Sequence, residues 1–170
     1  DNIILGVLVH VNKTNLDTTN NEQGPASNIG AQVFDLFQAL GFLNVSGNVV
    51  GTSGADLTVD KTEGVMFKHG SNWDTDPQNP HLRTLPTLTD ASFQIRMQDG
   101  TNGVTGTTVD VTNYDVGGVL TPVPTNKWTI QRWFCFTSNN LKVMLGQNIY
   151  NSKAAAVAAI TTETFTVEPS

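Results

Sequence analysis

Cysteine occurs once in the 170 residues, at Cys135, so neither an internal disulfide framework nor a cysteine-only zinc site is available. Charge is scarce as well. Asp, Glu, Lys and Arg make up 14% of the chain, against roughly 25% in an ordinary soluble domain. Basic residues are the scarcer sign, 9 Lys plus Arg against 15 Asp plus Glu, for a net charge of −6. No window gathers the Lys and Arg from which phosphate affinity is built, which opposes nucleic-acid binding. No apolar run approaches the ~18 residues of a membrane span. No charged-then-apolar N-terminal segment reads as a signal peptide. Absent too are a Gly-x-Ser-x-Gly nucleophile elbow and a phosphate loop. Gly103-x-x-Gly106 lacks the Lys and the following helix.

What fills the space is Thr, Asn and 15 Gly, a composition that suits strands and turns rather than a helical bundle. Length bounds the chain to one domain, two at most, and we read 1–170 as a single module with a core large enough to stand without staples. The chain opens at Asp1 without Met and closes on a strand-like Thr166–Ser170. It therefore reads as a piece of a longer polypeptide.

Residues 3–11 are short, apolar and β-branched, the pattern of a buried strand, and 12–28 are loop chemistry. Val33, Phe34, Leu36, Phe37 and Leu40 recur at three- and four-residue intervals and predict a short helix on an apolar bed. Ser27 or Asn28 would cap its start, and Gly41 its end. Residues 42–68 read as short strands broken by glycine, with Leu57 and Val59 on one face and Val65 and Phe67 on one face. Residues 69–90, with Pro77, Pro80 and Pro86, read as irregular and as the best place for a surface insertion. Phe93, Ile95 and Met97 alternate with Gln94, Arg96 and Gln98, predicting a strand with one core face. Residues 99–108 read as a loop, and Val109 and Val111 as the start of another strand.

Lys127–Phe136 predicts a long strand, turned at Ser138-Asn139-Asn140 into Leu141–Leu145. Asn151-Ser152 and the alanine-rich 153–160 predict a capped helix, after which Phe165 and Val167 resume a strand. The fold class is mainly β (α+β): an antiparallel sheet or β-sandwich with two short helices.

Three stretches carry a resemblance. They are Leu120-Thr-Pro-Val-Pro-Thr-Asn-Lys-Trp-Thr-Ile-Gln-Arg132, Gly146-Gln-Asn-Ile-Tyr-Asn-Ser152 and Thr162-Glu-Thr-Phe-Thr-Val-Glu-Pro169. Together they resemble a module of tailed-bacteriophage virion proteins of the tail-fibre or neck-appendage type. A looser likeness extends through Thr62–Lys68 and Asn79-Pro80-His81. The resemblance implies a structural, non-enzymatic part of the virion, a homo-oligomer with a trimer favoured. It also implies contact with other virion proteins and a surface that contributes to attachment to the host. It supplies no binding residues.

Several residues carry chemistry in principle. Asp74-Thr75-Asp76 begins like a calcium loop, but the sixth and twelfth positions hold Asn79 and Leu85 where Gly and a bidentate Glu are needed. An Asp- and Pro-stabilised turn is the better reading. His69, Asp74, Asp76 and His81 have irregular spacing that fixes no metal geometry, so no metal and no cofactor is expected. His10 reads as a hydrogen-bonded core histidine, and Cys135 between Phe134 and Phe136 as an inert thiol. Glycosidase chemistry needs two opposed carboxylates, and nothing selects a pair among Asp56, Asp60, Glu63, Asp90, Asp99 and Asp110. No catalytic residue is assigned.

Alternation places Trp128, Ile130, Phe134 and Phe136 on one strand face and Trp133, Thr129, Gln131 and Cys135 on the other, wetter face. A Trp there either packs an interface or stacks on a sugar. Covering the sheet is the preferred role for Trp133, while Trp73, in the irregular segment, stands evenly between cover and binding. A carbohydrate-binding module, with Trp73 and Trp133 as platforms and Asp74 and Asp76 among the polar readers of a host surface glycan, is the alternative function.

Overall fold

The computed structural model describes residues 8–11, 15–18, 29–54 and 56–167. The chain divides into two compact units, Asp1–Gly41 and Phe42–Ser170.

In the first unit, β1 (Leu8–Val11) pairs antiparallel with β2 (Asn15–Thr18), Leu8 opposite Thr18. The expected strand over 3–11 is described from Leu8 onward. The loop expected over 12–28 contains β2, because Leu16 alternates with polar neighbours in a pattern too short to rise above its loop-like setting. Helix α1 spans Ile29–Leu40. Gly41 adopts φ +70° and donates its N–H to the Phe37 carbonyl, closing the helix at the left-handed position that glycine takes without strain. The caps expected at Ser27 or Asn28 lie outside the described residues. No α1 side chain is buried, and Ile29, Val33, Leu36 and Leu40 are exposed.

The second unit is a set of short strands. Strands β3 (Leu43–Gly47), β4 (Val50–Ser53), β5 (Thr58–Lys61), β6 (Gly64–Phe67) and β7 (Leu82–Leu85) make two sheets. One is antiparallel in the order β3-β6-β7 and the other is the β4–β5 hairpin. Glycine is obligatory where β3 meets β6. A Cβ on Gly47 would lie 2.1 Å from the Glu63 carbonyl oxygen, and one on Gly64 2.3 Å from the Asn48 nitrogen.

Strands β8 (Phe93–Arg96) and β9 (Asn102–Gly106) form a hairpin, as do β10 (Asn113–Val116) and β11 (Val119–Pro122), and β12 (Arg132–Cys135) and β13 (Leu141–Met144). The largest sheet has the order β12-β13-β8-β9, its central pair β13–β8 running parallel. Helix α2 (Lys153–Ala159) is capped by Ser152, whose hydroxyl accepts the Ala155 N–H at 3.1 Å. The mainly-β class with two short helices is as expected, and the central parallel pair makes the large sheet mixed rather than purely antiparallel.

Other expectations are corrected. Lys127–Phe136 is not one long strand. Trp128 makes an isolated bridge to Tyr150, and the ladder begins only at Arg132. Residues 99–108 are not a loop but contain β9, whose Gly-rich sequence is held by its ladder to β8 and by the Asn102 side chain, which accepts from Arg96. Val109 and Val111 precede β10 rather than belonging to it, and β7 lies inside the segment read as irregular. Phe165 and Val167 are in no strand; that segment is held by side chains.

The core cluster is Val59, Ala91, Phe93, Leu141 and Val143, with Ile95, Trp133 and Cys135 packed against it. Phe93 and Met97 are buried, as the alternation over 93–98 predicts. Leu57 is not on the core face with Val59. It takes φ +55° and is exposed in the β4–β5 turn. Gly64 and Met66, not Val65 and Phe67, are the buried residues of β6. The faces of β12 are also the reverse of expectation. Trp133 sits opposite Val143, and Cys135 opposite Leu141, so both point into the core, while Trp128 and Phe136 are exposed. Both faces of this strand are apolar enough that alternation alone does not say which one is inside.

Candidate functional site

The segment 69–81 is irregular but tightly tied. Asp76 accepts the N–H groups of Gln78 and Asn79 on one carboxylate oxygen and the Asn79 amide on the other. That is the Asp-led turn expected from the sequence. His81 anchors the base: its carbonyl accepts from Lys68, its Nδ1 accepts from Gly70 at 3.0 Å, and its ring stacks on His69 at 4.4 Å. On this base Trp73 stands out with 62% of its surface exposed, beside exposed Asp74. Thus Trp73 and Asp74 are open to a partner, whereas Asp76 is committed to the turn. Among the described residues no three His, Cys, Asp or Glu side chains gather to hold a metal ion.

Trp133 belongs to a different environment. Its ring meets Phe93 edge to face, 4.7 Å between centroids. With Cys135, Met66, Leu85, Phe42 and Asn48 it borders a cavity of about 280 Å³. It covers the core, the preferred reading, and is not brought together with Trp73. Beneath the same wall Lys61 is wholly buried, donating to the Asn48 Oδ1 at 3.0 Å and the Thr62 carbonyl at 2.9 Å. Burial pushes the Cys135 thiol up, only partly opposed by the Lys61 charge. The sulfur therefore stays protonated near neutral pH and is a poor nucleophile.

Of the carboxylates considered for catalysis, Asp60, Asp90, Asp99 and Asp110 are occupied by local structure. Asp99 and Asp110 each accept the N–H and hydroxyl of the Thr two residues on. The Thr101 bonds hold Asp99 below its ordinary value. Burial alone would raise Asp110, but donations from Asn113 and Thr112 outweigh it and leave the group lowered. Asp60 accepts from the Asp90 N–H, and Asp90 accepts from the Thr58 hydroxyl. Asp115, which the sequence did not single out, is buried and accepts from the Gln98 and Gly118 N–H groups.

The densest polar network was not read from the sequence at all. The Glu163 carboxylate takes the Arg132 guanidinium on one oxygen and the Tyr150 hydroxyl on the other. Arg132 also lies over the Phe165 ring at 4.1 Å. Burial pushes the Glu163 carboxyl up, yet donations from Tyr150, Arg132 and Asn148 prevail and hold it below the ordinary value. Nearby, Gln147 exchanges two bonds with the Thr166 backbone, and Lys127 donates to Asn151. The three stretches that carry the sequence resemblance are therefore in mutual contact.

Neither a family model, nor a curated protein, nor a solved structure matches this chain. Among the described residues no helix is long and apolar enough to cross a membrane.

Proposed function

We propose that this chain is a structural, non-enzymatic module of a bacteriophage virion appendage, of the tail-fibre or neck type, working as a homo-oligomer. A trimer is the favoured assembly, in contact with other virion proteins. The observation that carries the reading is the knot around Glu163. The segments 120–132, 146–152 and 162–167, far apart in the chain, are joined by the Trp128–Tyr150 bridge and by the Arg132, Tyr150, Gln147 and Lys127 bonds. They form one architectural unit whose ionisable groups serve structure, as a scaffold module needs. Exposed apolar side chains fit the same reading. Val116 and Val119 face each other across the β10–β11 hairpin and are exposed, and Val104 on edge strand β9 is 75% exposed. Burial of such groups between copies contributes roughly 25 cal/mol per Å².

Multi-angle light scattering on the 170-residue chain tests this. The expected mass is a multiple of 18.3 kDa, three for a trimer. A monomer at high concentration counts against assembly, and absence of the chain from the proteins of purified particles counts against the virion.

The second reading is a carbohydrate-binding module. What favours it is the indole of Trp73, exposed on a rigidly tied loop. Trp133 is withdrawn from that role by its packing on Phe93.

A further inference from the structure

The outer face of the large sheet holds a row of polar side chains that find no partner among the described residues. Lys142 on β13 sits beside Gln94 on β8, and Gln94 opposite Thr105 on β9, so three adjacent strands present them side by side. Ser92 and Asn140 complete the walls of a groove of about 320 Å³, at the lower end of the size range of small-molecule sites. The lateral neighbours on this face are spoken for. Arg96 bonds Asn102, and Arg132 bonds Glu163. Elsewhere the glutamines Gln98, Gln131 and Gln147 all bond the backbone. Among the described residues Gln94 makes no such bond, although it is half-buried, and Lys142 meets no carboxylate. Among the described residues the Lys142 ammonium lies over the exposed Phe136 ring, 5.6 Å from the nitrogen to the ring centre.

We infer that this groove is a binding site for an acidic sugar. An ammonium that meets no carboxylate among the described residues, in a chain of net charge −6, supplies an element that selects a carboxylate. The Gln94 amide and the Thr105, Ser92 and Asn140 side chains offer both donors and acceptors in a row, as a ring bearing several hydroxyls requires. A simple carboxylate would use the ammonium and leave the row idle. A neutral hexose would use the row and leave the ammonium idle. This site stands apart from Trp73, and it does not depend on whether the chain assembles with copies of itself.

The test is titration of the isotope-labelled 170-residue chain with glucuronate and galacturonate, followed by amide shifts, against glucose, galactose and acetate. Saturable shifts confined to residues 92–94, 105 and 140–142 are expected with the sugar acids, and tighter binding than with the neutral sugars or acetate. Lys142→Ala weakens the sugar acids by about tenfold or more, Lys142→Arg largely restores them, and Gln94→Ala weakens them with the charge intact. Unchanged melting temperatures show that the variants fold. Absence of saturable shifts, acetate or neutral sugars binding as tightly, or indifference to both Lys142→Ala and Gln94→Ala overturns the assignment. A monomer in light scattering leaves it standing.

Discussion

Arg132 and Glu163 lie 31 residues apart and meet as an ion pair whose carboxylate also receives the Tyr150 hydroxyl. Glu163 is almost wholly buried in this pair, while Arg132 keeps a quarter of its side chain in water. Removing the carboxylate leaves a guanidinium and a phenol without their acceptor. Glu163→Ala is expected to cost about 3 kcal/mol, the lower end for breaking a buried pair. Urea unfolding of the two proteins measures it, and a loss under 1 kcal/mol would show the pair to be ornamental.

The same group sets an acid limit. Glu163 has a folded-state value below the ordinary 4.5, so its contribution is complete above 4.5 and is lost as pH falls through the lowered value. Asp110, lowered from 3.8, adds to this in the same direction. Melting temperature should therefore drop on acidification below about 4.5, and Glu163→Gln should flatten that drop. An identical pH profile for the variant contradicts the assignment.

The two tryptophans should part company. Trp133→Ala removes an indole from the core side of the large sheet and should cost about 3 to 4 kcal/mol. Trp73→Ala, on an exposed loop tip, should change stability by no more than about 0.5 kcal/mol. If Trp73 is a sugar platform, its loss abolishes any glycan-array signal it supports while folding is retained. A glycan signal unmoved by Trp73→Ala removes that residue from recognition.

This division shows how far the sequence could be read. Trp73 in a Pro- and Asp-rich stretch announces an exposed loop. The Ser152 cap, the Gly41 stop and the Asn139 turn are local chemistry and are legible one segment at a time. Trp133 was placed on the wrong face because both faces of 132–136 are apolar, and register against Val143 and Leu141 decides between them. Strand β9 was missed because Asn-Gly-Val-Thr-Gly has loop composition and is held by its neighbour. The groove of Lys142, Gln94 and Thr105 and the Glu163 knot join residues from separate elements of the chain, which no spacing rule can anticipate.

Asn48 is a further test. It takes φ +55° and its Oδ1 accepts from the buried Lys61 ammonium. Asn48→Gly keeps the backbone at ease but withdraws the acceptor, and should cost about 1 to 3 kcal/mol in chemical denaturation. A neutral or stabilising result would mean that Lys61 finds another acceptor.

Cys135 should resist labelling. A thiol raised by burial reacts slowly with a maleimide at pH 7, and denaturant should speed the reaction by orders of magnitude. Equal rates in the folded and unfolded chain would contradict its placement.

The parallel contact of β8 with β13 brings together Phe93 and Leu141, with β9, β10, β11 and β12 all falling between them in the chain. The hairpins on either side are each closed by short loops and can form early, but this seam must wait for both. Ribosomal synthesis therefore has to pass Met144 before the central sheet can zip. A chain ending sooner would carry Phe93 and Ile95 uncovered, a sticky intermediate for chaperones to hold.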